Sequence, residues 1–238
     1  MPINFDYKVL FIHIPKTGGT SIEASLGMHG EKGFIGIKPY LNQYPDYKYL
    51  FGGGLNHLGI NETLRLIKSM HFKDYKNYSR IKRFLDHLLF FIGEGNRKTD
   101  ILRTFSVVRH PYDRIVSYVA WKYTKWNSKK VLTKDEFRDY INKGEFKKQL
   151  KKSIHLRPQY RFLERDGNLV VDKIIHYENL KFEFEQLMRE WGVPYKKLEK
   201  RMVSNRKPFH YYFDKKTYEL IFKIYRKDFF YFNYEHEY

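Results

Sequence analysis

Residues 8–26 read KVLFIHIPKTGGTSIEASL: an apolar, β-branched run over 9–14, a break at Pro-Lys-Thr-Gly-Gly, and a helical resumption over 21–26. A run that is apolar at almost every position predicts a strand covered on both faces, as in a parallel sheet. A strand that ends in a Gly-bearing turn and feeds a helix aims backbone N–H groups and the positive end of the helix dipole at one point. That point suits a phosphate or sulfate. Lys16 adds a mobile cation, Thr17, Thr20 and Ser21 add hydroxyls, and Gly18 and Gly19 let the backbone approach an oxyanion without Cβ interference. A plain tight turn between strand and helix fits 15–19 as well, so the loop alone leaves both open.

Working outward, the same unit recurs. Residues 105–108 predict a second strand, followed by Arg-His-Pro and a helix over 112–125 with Ile115, Val116, Val119 and Ala120 at helical spacing. Residues 170–176 predict a third strand, and 180–191 a helix ended by Gly192 and Pro194. Thr133 and Glu136 have capping-box spacing, and Asp214 can cap a last helix. Repeated strand-to-helix units predict an α/β fold with a central parallel sheet flanked by helices and with ligands at the carboxyl ends of the strands. One domain over 1–238 is expected, with 27–100 as a candidate specificity insertion carrying helices near 62–70 and 81–91.

A second anion-binding element lies in SVVRHPYDRIVSYV, residues 106–119. Arg109 leaves the strand, Arg114 follows, and Ser117 sits on the emerging helix. Arginine supplies a planar fork matched to phosphate oxygens, and a helix hydroxyl can donate to the same group. Two anion sites imply a doubly phosphorylated ligand. The nucleotide loop G-x-x-x-x-G-K-[ST] carries its Lys after the second Gly, whereas Lys16 precedes the glycines, which disfavours ATP or GTP hydrolysis.

Composition narrows the classes further. Lys plus Arg number 45 against 27 Asp plus Glu, a formal net charge of +18 that points to an anionic partner without identifying it. The absence of cysteine excludes disulfides, thiolate-bound metals and thiol catalysis. With no signal-like N-terminal segment and no apolar run long enough to span a bilayer, a soluble, cytoplasmic protein without a transmembrane anchor is expected.

The pair Pro15-Lys16-Thr17-Gly18-Gly19-Thr20-Ser21 and Arg109-x-Pro111-x-x-Arg114-x-x-Ser117 resembles the two cofactor motifs of the sulfotransferases that use 3′-phosphoadenosine 5′-phosphosulfate (PAPS). Within them the chain is most similar to the carbohydrate sulfotransferases of the heparan sulfate 2-O and chondroitin type and their bacterial-type relatives. Segments 155–163, 171–180 and 225–234 extend the likeness, whereas 27–100 does not match.

The resemblance implies a P-loop-like, three-layer sulfotransferase fold. It places the 5′-phosphosulfate on 15–21, with Lys16 stabilising the leaving phosphate, and the 3′-phosphate on Arg109 and Ser117. Arg206 either closes over the 3′-phosphate or belongs to a run of solvated charge with Lys207. It also implies a catalytic His between the two motifs, for which His57 in FGGGLNHLGINETL is the candidate. His13 interrupts a strand and fits a core position. Arg157, Pro158 and Gln159, which follow His155, either face the acceptor or belong to a capped helix start. No metal is required, and the expected acceptor is a sugar hydroxyl, with an acidic glycan favoured by the basic surplus. A nucleic-acid-binding module, suggested by 18% aromatic residues among the basic ones, and a P-loop kinase are the alternatives. No stable nucleic-acid complex is expected.

Overall fold

The computed structural model describes residues 3–4, 7, 9–26, 103–124, 130–199, 201 and 204–236. The expected helices within 27–100, and His57, lie outside them. The central sheet runs in the order β1 (Ile3–Asn4), β2 (Val9–Ile12), β3 (Arg103–Val108) and β6 (Lys173–His176). β2, β3 and β6 are parallel, and β1 adds an antiparallel edge. The fold is α/β with a central parallel sheet flanked by helices, as the unbroken apolar runs predict.

Register divides the sheet's faces. Phe11 pairs with Phe105, and Val107 with Ile175, so Val9, Phe11, Phe105, Val107 and Ile175 share one face. They pack on Ile22 of α1 (Gly19–Ser25) and on Phe184, Leu187 and Met188 of α6 (Leu180–Trp191). The Phe11 and Phe105 rings stack with centroids 4.9 Å apart. The start of β6 is tied to β3 by Asp172, whose carboxylate accepts from the Thr104 amide at 2.6 Å and its hydroxyl at 2.9 Å.

A second core joins α2 (Pro111–Thr124), α3 (Lys134–Asn142), α4 (Glu145–Lys152) and α7 (Lys215–Tyr231) through Tyr112, Phe137, Phe146, Tyr218 and Phe229. The Thr133–Glu136 capping box forms as read, Asp214 caps α7 through the Thr217 amide, and Gly192 ends α6 at φ 64°.

The third strand is shorter than its sequence suggests. Asn168–Leu169 (β5) pairs antiparallel with Glu164–Arg165 (β4), which follows α5 (Tyr160–Leu163), and only Lys173–His176 joins the main sheet. The reason is local. Asp166 and Gly167 both take positive φ, 51° and 83°, as a two-residue hairpin turn of the primed type requires. That turn draws the chain before 170 into a ribbon of its own.

Candidate active site

The loop after β2 is held in its shape by named bonds. Thr17 is fully buried and donates its hydroxyl to the Ile14 carbonyl at 2.8 Å, so that hydroxyl serves the loop's own shape. Lys16 takes φ 69°, a left-handed conformation that costs a non-glycine residue about 1 kcal/mol or more. Two arginines offset that cost: Arg114 Nε donates to Pro15 O at 3.0 Å and Arg109 Nη1 to Lys16 O at 3.0 Å.

α1 then begins at Gly19, earlier than the sequence reading of 21–26. The Ser21 and Ile22 amides both reach Gly18 O, so neither is left to an anion. Gly19 is required by a close approach, because a Cβ there would lie 2.1 Å from His13 Nε2. His13 cannot yield readily: its Nδ1 lies 2.6 Å from Glu23 Oε1 and its ring stacks on Phe11. His13 is thus a buried support beneath the loop.

Lys16 points its ammonium over the Trp121 ring, 5.3 Å from the centroid. Burial, then the charges of Arg109 and Arg206, push its pKa down to about 7. His155 stacks on the same indole with centroids 5.1 Å apart. Burial first, then Lys16, push its pKa down to about 4, so its imidazole is neutral at pH 7.

The Arg109 guanidinium lies 3.8 Å from the Tyr177 ring centroid and donates from Nε to Asp113 Oδ2 at 2.8 Å. Arg206 Nη1 lies 2.7 Å from the other oxygen, Asp113 Oδ1. Burial pushes the Asp113 carboxyl up, but the two guanidiniums outweigh it and hold the group below the usual carboxylate range. Asp113 therefore bridges Arg109 and Arg206, and the charges of both arginines reach Lys16. Cations brought this close repel one another, and an anion placed among them relieves that repulsion.

Ser117 is buried on α2 four residues after Asp113, one turn along the same helix face. The Arg206 side chain is 13% exposed against Asp113, and Lys207 is exposed. Thr20 is half-buried, and Ser21 is buried with its hydroxyl oxygen 3.3 Å from the Arg201 amide.

Sequence reading missed Asp113, Tyr177 and the part played by Arg114, and left Gln159 open between facing the acceptor and a capped helix start, of which the structure has the helix start. Asp113 stands four residues after Arg109 and four before Ser117, a helical spacing that could have revealed it. Arg114, 1% exposed, also donates from Nη2 to His155 O at 3.0 Å and Arg157 O at 2.9 Å, tying the phosphate-type loop to a second loop. Gln159 does not face an acceptor: it is fully buried against the backbone of Arg109.

Among the described residues no His, Cys, Asp and Glu cluster is suited to a metal ion, and no helix is long and apolar enough to cross a membrane. In comparisons with known proteins, a family model described as "Sulfotransferase family" matches residues 2–235. No curated protein and no solved structure matches the chain.

Proposed function

The chain belongs to the sulfotransferase family, and from that membership we propose that it moves the sulfuryl group of PAPS to a hydroxyl, most simply that of a carbohydrate. The observation that carries the donor assignment is the cationic cluster at the end of the parallel strands, where Arg109 donates to the Lys16 carbonyl and Arg206 meets Arg109 across Asp113. Lys16 with the loop 15–21 forms one half-site, and Arg109, Ser117 and Arg206 form the other.

PAPS supplies a sulfuryl group already activated on a phosphate leaving group. The chain's own contribution is positioning and charge. The Lys16 ammonium and the loop amides stabilise negative charge that grows on the leaving 5′-phosphate oxygen. The Arg109 guanidinium and the Ser117 hydroxyl hold the 3′-phosphate, with Arg206 closing over it. Lys16, Arg109 and Arg206 provide the positive charge, so the proposal calls for no metal. His57 takes the proton from the acceptor hydroxyl, a role suited to an imidazole near neutral pH. Residues 27–100 of the single domain select the acceptor, and the surplus of basic residues favours an acidic glycan.

Calorimetric titration with the desulfated product, 3′-phosphoadenosine 5′-phosphate, tests the donor assignment against ATP with magnesium and against single-stranded DNA. The bisphosphate is expected to bind tightest. Failure to bind it, or preference for magnesium-ATP, would overturn the proposal. For the base, His57→Ala is expected to bind the bisphosphate like the unchanged protein while losing turnover; full turnover would place the base elsewhere.

A further inference from the structure

Arg109 lies one residue beyond the end of β3, past the last ladder pair, Val108 with His176. At that point the ladder no longer fixes the backbone, yet the direction of the guanidinium depends on it. The fully buried Gln159 fills this role. Its Oε1 accepts from the Arg109 amide at 2.9 Å and its Nε2 donates to the Arg109 carbonyl at 2.8 Å. One side-chain amide thus satisfies both backbone groups of one residue, as a neighbouring strand would.

Gln159 is itself held from below. Asp228 of α7, fully buried, accepts from the Gln159 amide at 2.8 Å through Oδ2 and from the Tyr160 amide at 2.9 Å through Oδ1. Arg114 fixes the preceding carbonyls of the same segment. Asp228, Gln159 and Arg109 therefore form a continuous line of hydrogen bonds from the last helix to the anion site. A leucine or methionine would fill the Gln159 position about as well; what only an amide supplies there is the pair of bonds to Arg109.

We propose that Gln159 is a positioning residue for the 3′-phosphate half-site, aiming Arg109 through its backbone, with Asp228 fixing Gln159 in turn. The inference rests on the PAPS assignment above and deepens it. Misplacing a binding group by about 1 Å commonly costs large factors in binding or rate, and the guanidinium's own partners, Asp113, Tyr177 and the Lys16 carbonyl, do not bond its main chain.

The test compares two nucleotides that share adenosine and a 5′-phosphate. Dissociation constants for 3′-phosphoadenosine 5′-phosphate and for adenosine 5′-monophosphate are measured by calorimetry, and their ratio isolates the 3′-phosphate. Gln159→Leu is expected to reduce that ratio by about tenfold or more, because the Arg109 amide and carbonyl lose their partners, while monophosphate affinity falls by a smaller factor, through the bond from Arg109 to the Lys16 carbonyl. Asp228→Asn, which can accept only one of the two amides, is expected to reduce the ratio less. A merely structural role would weaken both nucleotides alike, and that result overturns the inference, as does an unaltered ratio. If thermal melting shows that Gln159→Leu does not fold, Gln159→Met keeps the unbranched length and loses both bonds to Arg109. An unaltered ratio in Gln159→Met overturns the inference equally. The unchanged protein separates the two levels: no preference for the bisphosphate sinks the PAPS assignment and this inference with it, whereas a preference that survives Gln159→Leu sinks the inference alone.

Discussion

Lys16→Ala is expected to lower turnover by about a hundredfold to a thousandfold, the usual cost of deleting one donor aimed at a developing oxyanion, and to weaken bisphosphate binding as well. The free protein carries this ammonium under strain from burial and from Arg109 and Arg206, with a pKa of about 7. A phosphate beside it favours the charged form and raises that value. Between pH 7 and the raised value, the complex holds a proton that the free protein has released. Binding therefore takes up a proton, and affinity falls as pH rises through 7 to 9, by up to about tenfold per unit. Calorimetry in two buffers of different ionisation heat reads this directly. At pH 8 the unchanged protein should take up a proton on binding the bisphosphate, and Lys16→Ala should take up close to none. Binding by the unchanged protein that is independent of pH over this range would contradict the role given to Lys16.

Arg114→Met carries the largest expected cost in stability. The arginine is fully buried, and its donors reach the carbonyls of Pro15, His155 and Arg157. Methionine restores much of the volume and none of the hydrogen bonds, leaving the buried Pro15 carbonyl short of this donor at about 1–3 kcal/mol and the part-buried His155 and Arg157 carbonyls at a smaller cost each before relaxation. A loss of about 3 kcal/mol or more corresponds to a fall in melting temperature of about 6–12 °C for a chain of this size. Because Arg114 links the Lys16 loop to the loop bearing His155 and Gln159, bisphosphate affinity should fall with it. Thermal melting and titration of the same variant check both. An unchanged melt would mean that the three carbonyls find other partners and that the arginine does not brace the loops.

The parts of this fold that were legible in sequence are those fixed by local physics. A run apolar on both faces can only be a covered strand, so β2 and β3 were placed to within about two residues. The caps at Thr133, Asp214 and Gly192 depend on residues within a turn of one another and were equally readable. β6 was overextended because the Asp166-Gly167 turn signal was outweighed by the apolar run that follows. The bonds of Gln159 to Arg109 and Asp228 were illegible for a different reason. Those partners lie 50 and 69 positions away, and no local spacing reports such a contact. Lys16, Arg109 and Arg206 were identifiable as cations near a binding loop, but the carboxylate between the two arginines belongs to the tertiary fold.

The most direct measurement of the central claim is a crystal structure of the protein with 3′-phosphoadenosine 5′-phosphate. It should place the 5′-phosphate on the loop amides and the Lys16 ammonium, and the 3′-phosphate on the Arg109 guanidinium and the Ser117 hydroxyl, with Arg206 over it. A bisphosphate bound with its two phosphates exchanged, or seated away from 15–21 and Arg109, would contradict the account.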